Sequence, residues 1–201
     1  MGLDHSGGSL RQALRAATAK AHDQLDGTMR TVAGWQKPED YARFLSLQYA
    51  ARVPVEAWLS QNASADLRPP EQAPLIASDL ASMGHALPAY EVSFTPPAAL
   101  EQSAERARAL GIAWVLAGSS LGNRAILAEI RGKTKAQGLT AWPEEFLGDD
   151  GMLDFWKQLR SHIEGRAEMD ALEVAIEAAA AVFDHFIAHA QAAHSPCALT
   201  V

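Results

Sequence analysis

Cysteine is nearly absent. The single one in 201 residues, Cys197, excludes an internal disulfide framework and any zinc or iron–sulfur centre built from several thiolates. Positive charge is also in short supply. Lys and Arg number 17 against 24 Asp and Glu, for a net charge of −7 and a pI near 5.4. Nucleic-acid phosphates and anionic lipid surfaces therefore repel the chain as a whole, and any basic residue that matters acts locally. Long hydrophobic runs are missing too: the most apolar window, Leu110 to Gly118, falls well short of the ~20 residues that span a bilayer. The opening Met1-Gly-Leu-Asp-His-Ser-Gly-Gly has neither the basic start nor the apolar core of a secretory signal. These absences lead to the expectation of a soluble, cytoplasmic protein with no nucleic-acid or membrane partner.

What is present is apolar residue, 48% of the chain, enough for one domain with a sizeable core. The expected organisation is a disordered start over 1–8, one domain over 9–193 and a flexible tail over 194–201. Ser9 caps a first helix in which Leu10, Leu14, Ala17, Ala21 and Leu25 recur at spacings of four and three, with Gly27 as its stop. Pro38-Glu39-Asp40 opens a second, running to about Gln61 and kinked or interrupted by Pro54. A loop from Ser64 to Pro70 precedes a short helix from Pro74 to Met83. Residues 86–98 read as irregular, with Tyr90 to Phe94 as a possible extended piece. Helical patterning resumes from Ala99 to Arg131, stops for a loop from Lys133 to Asp150, and returns over Leu153 to Ile163 and Glu168 to Ala192. No repeat and no strand alternation is visible, so the class is all-α.

Two features of these helices carry chemistry. Arg11, Arg15, Thr18 and His22 are spaced four, three and four and share one face of the first helix, joining an imidazole to two cations. Imidazole nitrogen is a good axial ligand for haem iron, and a guanidinium two turns away can reach a propionate through paired charged hydrogen bonds. The plainer reading is an ordinary charged surface. Gly111, Gly118 and Gly122, separated by seven and four, place bare backbone on one face of the long helix, each at a cost of about 1 kcal/mol relative to Ala. Either another helix packs closely there or a large flat ligand approaches the main chain. Ser119, Ser120 and Asn123 beside them are polar where a packing seam wants methyls.

Other constellations are weaker. His185 and His189 lie four apart without a carboxylate at matching spacing, so they read as solvent-facing. No Glu-x-x-His occurs, which argues against a ferritin-like di-iron site. Gly118-Ser-Ser-Leu-Gly-Asn lacks both the frame of a nucleophile elbow and the Lys-Ser/Thr of a phosphate loop. Lys157 and Arg160 read as the wet side of an amphipathic helix.

Leu10-Arg-Gln-Ala-Leu-Arg-Ala-Ala-Thr-Ala-Lys-Ala-His22 resembles the first helix of haem oxygenases, and Ala117-Gly-Ser-Ser-Leu-Gly-Asn-Arg124 resembles their glycine-rich distal helix. Between them, Gly34-Trp35, Asp40-Tyr-Ala-Arg-Phe-Leu45 and Pro54-Val-Glu56 look like the family's second helix, and the wording is similar to bacterial members, including those associated with bacteriophytochromes. The resemblance covers most of the first 130 residues. It implies a single-domain haem oxygenase-like helical bundle in which haem b is both prosthetic group and substrate. His22 is then the iron ligand, Gly118 and Gly122 admit the other haem face, and Arg15 meets a propionate. Lys157 and Arg160 supply the opposite cationic rim. Animal-type members carry Asp where Ser119 stands, so proton delivery is expected to involve ordered water with Ser119 and Asn123. The implied reaction uses O2 and electrons from a ferredoxin- or flavin-type donor, opens the ring at a meso carbon and yields biliverdin, Fe2+ and CO. A bacteriophytochrome is a possible pigment acceptor. Two alternatives remain open: a protein that stores or senses haem without degrading it, and a helical protein that holds another small ligand.

Overall fold

The computed structural model describes residues 9–89, 93–98, 102–165 and 168–194. Its first helix starts with a reciprocal cap. The Gln12 amide donates to Ser9 Oγ at 3.3 Å while the Ser9 amide donates to Gln12 Oε1 at 3.2 Å, opening α1 (Leu10–Val32). The buried stripe of α1 is Leu10, Leu14, Thr18 and Met29, whereas Ala17 is exposed. Thr18 enters that stripe because its hydroxyl donates to the Leu14 carbonyl at 2.8 Å, which removes the cost of burying it. It does not share the exposed face of Arg15 and His22 expected from spacing alone. Nor does Gly27 end the helix. Burial of Met29 outweighs one glycine, and the chain turns instead at Gly34, which takes φ +71° and donates its amide to the Met29 carbonyl.

Helix α2 (Pro38–Asn62) passes through Pro54 without interruption, so of the expected kink or interruption the latter does not occur. Proline lacks an amide hydrogen and crowds the carbonyls of the preceding turn. The carbonyl of Ala51, three residues before it, lies 3.1 Å from the Nε2 of His185. After a short 3-10 turn at Ala65–Leu67, α3 (Ala73–Ser82) stops at Gly84, with φ +75°. Helix α4 (Gln102–Gln137) outruns its expected end by two turns, and a further turn, α5 (Glu145–Gly148), forms within the stretch expected to be a loop. That turn exists because Asp79 accepts the Glu145 and Phe146 amides at 3.0 and 3.1 Å, a capping interaction from a distant residue. Asp149 caps α6 (Asp150–Ile163) by accepting the Met152 amide at 2.7 Å, and α7 (Met169–His194) follows. Ser93 to Ala98 have no regular structure, and Tyr90 to Val92, named in the expected extended piece, lie outside the described residues. The expected loose segment 1–8 and residues 195–201 of the expected tail lie outside them as well, whereas His194, expected to open that tail, still belongs to α7.

Pairs of contacts give each helix its direction. Gly118, Arg124 and Leu127 of α4 meet Trp156, Asp150 and Gly148, so α6 runs antiparallel to α4. Arg52 meets Ser119 while Asp66, just beyond α2, meets Arg106, so α2 is also antiparallel to α4. The Leu10 amide donates to the Gly165 carbonyl, and His22 lies by Phe183, so α1 and α7 run the same way. Helix α7 is the common support, packed along both α1 and α4, while α1 and α4 have little direct contact among the described residues. The architecture is an all-α bundle, with no strand among those residues. Among them, α4 is also the one helix that is long and apolar enough to cross a membrane by length and composition, over Ala104–Gln137, a longer stretch than the sequence window suggested.

The glycine question now divides. A Cβ on Gly111 would lie 2.1 Å from the Ala175 carbonyl oxygen, so this glycine serves close packing of α4 on α7. Gly27 and Gly122 have nothing within 4 Å of that position. Gly111→Ala is therefore expected to destabilise the fold by about 3 kcal/mol, since overpacking commonly costs 1–3 and this clash is with backbone. Gly27→Ala should stabilise it by about 1 kcal/mol. Urea unfolding of the two variants measures both signs, and a neutral Gly111→Ala would contradict the packing described.

Candidate functional site

Four contacts place the expected residues on one level of the bundle. The ring of His22 on α1 lies edge-on to Phe183 of α7, with centroids 6.0 Å apart. Two residues on, His185 reaches the Ala51 carbonyl of α2. The next α2 residue, Arg52, donates through Nη2 to Ser119 Oγ of α4 at 2.6 Å. Those two α2 contacts, taken with that of Gly111 and Ala175, show that α4 and α7 run the same way, so eight residues along each brings Ser119 level with Phe183. His22 and the glycine-bearing stretch are thus held at the same height by α7.

His22 is exposed, with its Nδ1 3.5 Å from Asp26 Oδ2 one turn further along. A carboxylate near Nδ1 favours the tautomer that leaves Nε2 free as a ligand, the usual arrangement around metal-bound imidazole. Across the level, Gly122 is exposed with open space where a side chain would be, beside Leu121, which is 52% exposed. Gly118 differs. A Cβ there would be in ordinary contact with Cζ3 of the buried Trp156, at 3.7 Å, so the open backbone of α4 begins at Gly122. The residues fit a flat macrocycle in two respects: an exposed imidazole on one helix, and side-chain-free backbone with nothing against it on another. Arg15 is exposed on α1, two turns before His22. Lys157 and Arg160 are exposed on α6 and paired along that helix with Asp154 and Glu164, at 2.8 and 2.6 Å. A carboxylate ligand would have to replace those partners.

The polar residues of α4 are more committed than the sequence implied. Ser119 Oγ donates to the Leu116 carbonyl at 2.7 Å and Ser120 Oγ to that of Ala117 at 2.7 Å. Each hydroxyl hydrogen is thereby used within the helix. Asn123 is buried. Behind Ser119 lies Arg52, itself buried, with Nε donating to Gln48 Oε1 at 3.3 Å, Nη1 at 3.8 Å from Glu56 Oε1, and its guanidinium over the Phe146 ring. Glu56 accepts the amides of Gln72 and Ala73 at 3.0 and 3.2 Å, and the Gln72 side chain donates to Asp149 at 3.0 Å. A polar chain thus crosses the core from Ser119 to the cap of α6. Burial lowers the Arg52 pKa from its ordinary value, against the pull of Glu56, yet a guanidinium stays protonated in proteins. Burial likewise pushes the Glu56 carboxyl up, opposed by the Arg52 charge and the two amides.

Sequence spacing missed most of this. Arg52 and Glu56 are one helical turn apart, a visible signal for an ion pair, but nothing local indicates that they are buried. Phe183 and Trp156 carried no signal beyond being apolar. His185 and His189 are corrected from solvent-facing to half-buried: their rings lie 4.6 Å apart, with Phe94 edge-on to His185. No group of three or more metal-ligating side chains surrounds them among the described residues.

Burial, then the neighbouring His189, holds His185 down at about 4, against the raising effect of the Ala51 carbonyl. In the unfolded chain its imidazole takes up a proton near the ordinary 6.5. Neutral His185 therefore contributes stability that is complete above about pH 6.5 and is lost as pH falls toward 4. The melting temperature should drop between pH 7 and 4.5, and His185→Gln should flatten that slope. Equal slopes in the two proteins would contradict the buried neutral imidazole.

Comparison with known proteins returns one architecture. No family model and no curated protein sequence matches the chain. Among solved structures, the heme oxygenase of Neisseria meningitidis, determined with bound NO and CO, superposes with a TM-score of 0.64 at 20% identity, covering 94% of this chain and 95% of that one. The chain has the all-helical fold of that heme oxygenase over nearly its whole length.

Proposed function

We propose that the protein is a haem oxygenase: it binds haem b between α1 and α4 and opens the ring at a meso carbon, using O2 and electrons from an external donor. The observation that carries the reading is the pairing, on one level of α7, of an exposed imidazole with backbone that lacks both side chains and neighbours. The fold likeness supports it. His22 Nε2 holds the iron, with Asp26 beside Nδ1 to orient the ring. Gly122 lets the macrocycle approach the main chain of α4, and Gly118, one turn earlier, lies beside Trp156. Arg15 is assigned to one propionate, and Lys157 and Arg160 to the opposite rim, releasing Asp154 and Glu164. The bound macrocycle would supply the oxygen chemistry; the protein's share would be steric and polar, with the backbone of α4 at Gly122 closing off one face and Ser119 offering a lone pair as acceptor beside it. The products are biliverdin, Fe2+ and CO. A ferredoxin- or flavin-type protein is the proposed donor, and a bacteriophytochrome a candidate acceptor of the pigment.

One observation favours a second reading. The Ser119 hydroxyl is already engaged by Leu116 and Arg52, which suits a pocket that keeps haem without degrading it. Hemin and a reductant in air separate the two: ring opening removes the Soret band and yields a bile pigment, whereas a carrier keeps its haem spectrum. His22→Ala should abolish both the normal haem spectrum and turnover. Turnover persisting without added imidazole would refute the ligand assignment. Gly122→Ala should act in opposite directions on the two states. It adds a methyl in open space, so the haem-free protein gains about 1 kcal/mol from helix propensity. Hemin affinity should fall at least about tenfold, or 1.4 kcal/mol. Unchanged hemin affinity in this variant would remove Gly122 from the site.

A further inference from the structure

Arg52 is the largest fully buried side chain in the described protein, and it is a cation. Such a group is costly unless its position matters, since ion pairs of this kind seldom add stability over an apolar replacement. Its contacts bind it to one place. Nη2 donates to Ser119 Oγ at 2.6 Å, Nε donates to Gln48 at 3.3 Å, and the guanidinium plane lies over Phe146 with 5.1 Å to the ring centroid. Nη1 is buried and has no hydrogen-bond partner, although Glu56 is 3.8 Å away. Buried donors of this kind are ordinarily satisfied by ordered water.

The effect on Ser119 follows from counting. A hydroxyl has one hydrogen and two lone pairs. The hydrogen goes to the Leu116 carbonyl and Arg52 takes one lone pair, so Ser119 can offer only an acceptor to anything beside α4. We propose that Arg52 is a positioning residue for the ring-opening reaction: it locks Ser119 as an acceptor and fixes a positive charge one hydrogen bond behind the glycine-bearing stretch of α4. This rests on the haem oxygenase reading above. Through Glu56, Gln72 and Asp149 the same guanidinium is tied to the cap of α6, so the distal wall and the helix bearing Lys157 and Arg160 share one polar anchor. The charged and titratable groups around Arg52 are Glu56 on its own helix and, beside Ala51, the neutral His185 of α7. Helix α4 faces it with Ser119, and α5 with Phe146.

The test is the acid–alkaline transition of the hemin complex, read from its absorption spectrum, because a fixed cation near the distal side favours the deprotonated form and pure packing does not. Arg52→Gln should raise the transition by about one pH unit. Arg52→Lys, which restores charge but not the fork geometry, should return it toward the wild-type value. Ser119→Ala removes the acceptor that Arg52 locks and no packing; because an acceptor holds the hydrogen of the protonated form, its loss should lower the transition by a smaller amount. It keeps the test decisive if Arg52→Gln fails to fold. A wild-type protein that takes up no hemin overturns the haem oxygenase reading and this inference with it. Hemin uptake with the transition unmoved in Ser119→Ala, and in Arg52→Gln if it folds, overturns the inference alone.

Discussion

The approach of Gly111 to the Ala175 carbonyl sets the register on which the rest of the molecule depends. Only a residue without a side chain lets two helix backbones come this close, and the contact fixes how far α4 is advanced along α7. Since α1 is also laid on α7, through Phe183 beside His22, that single register decides which part of α4 stands level with the imidazole. One glycine serves architecture, while another, Gly122, leaves open space beside the helix. The two are eleven residues apart on the same helix, yet one meets backbone and the other meets nothing.

A second constraint crosses the bundle. Arg52, Glu56, Gln72 and Asp149 join α2 to the start of α3 and the cap of α6, while Ser119 ties the chain of contacts to α4. Buried polar groups are expensive when partly satisfied, so the segments that supply partners are held to one arrangement. Pro54 belongs to the same region. The uninterrupted helix around it presents the Ala51 carbonyl to His185, which links α7 to this level as well. The apolar contacts give the bundle its cohesion, and the polar ones give the level its orientation.

The fold was largely legible because it is helical and its signals are local. Ser9 and Pro38 mark helix starts, and Gly84 a helix end, through chemistry contained within one turn. Errors arose where distant groups intervened: Asp79 makes α5 from an apparent loop, and buried Met29 carries α1 past Gly27. His22, Gly118 and Gly122 were singled out by helix spacing and by the family resemblance, and the structure leaves His22 and Gly122 exposed while Gly118 lies against Trp156. Spacing could not separate the roles of the three glycines, because each role depends on what another helix places opposite. Arg52 was invisible for a related reason. A lone basic residue reads as solvent-facing until the tertiary contacts show that its helix is covered on several sides.

The central claim is that one ligand touches α1 and α4 together. Ferric hemin is paramagnetic, and it broadens the NMR signals of nearby amides. On addition of one equivalent to isotope-labelled protein, the account predicts that the amides of Ala21 to Asp23 and of Leu121 to Asn123 broaden in parallel, while those around Gly111 remain sharp. Broadening of one segment without the other, or of amides around Gly111 before either, would contradict it.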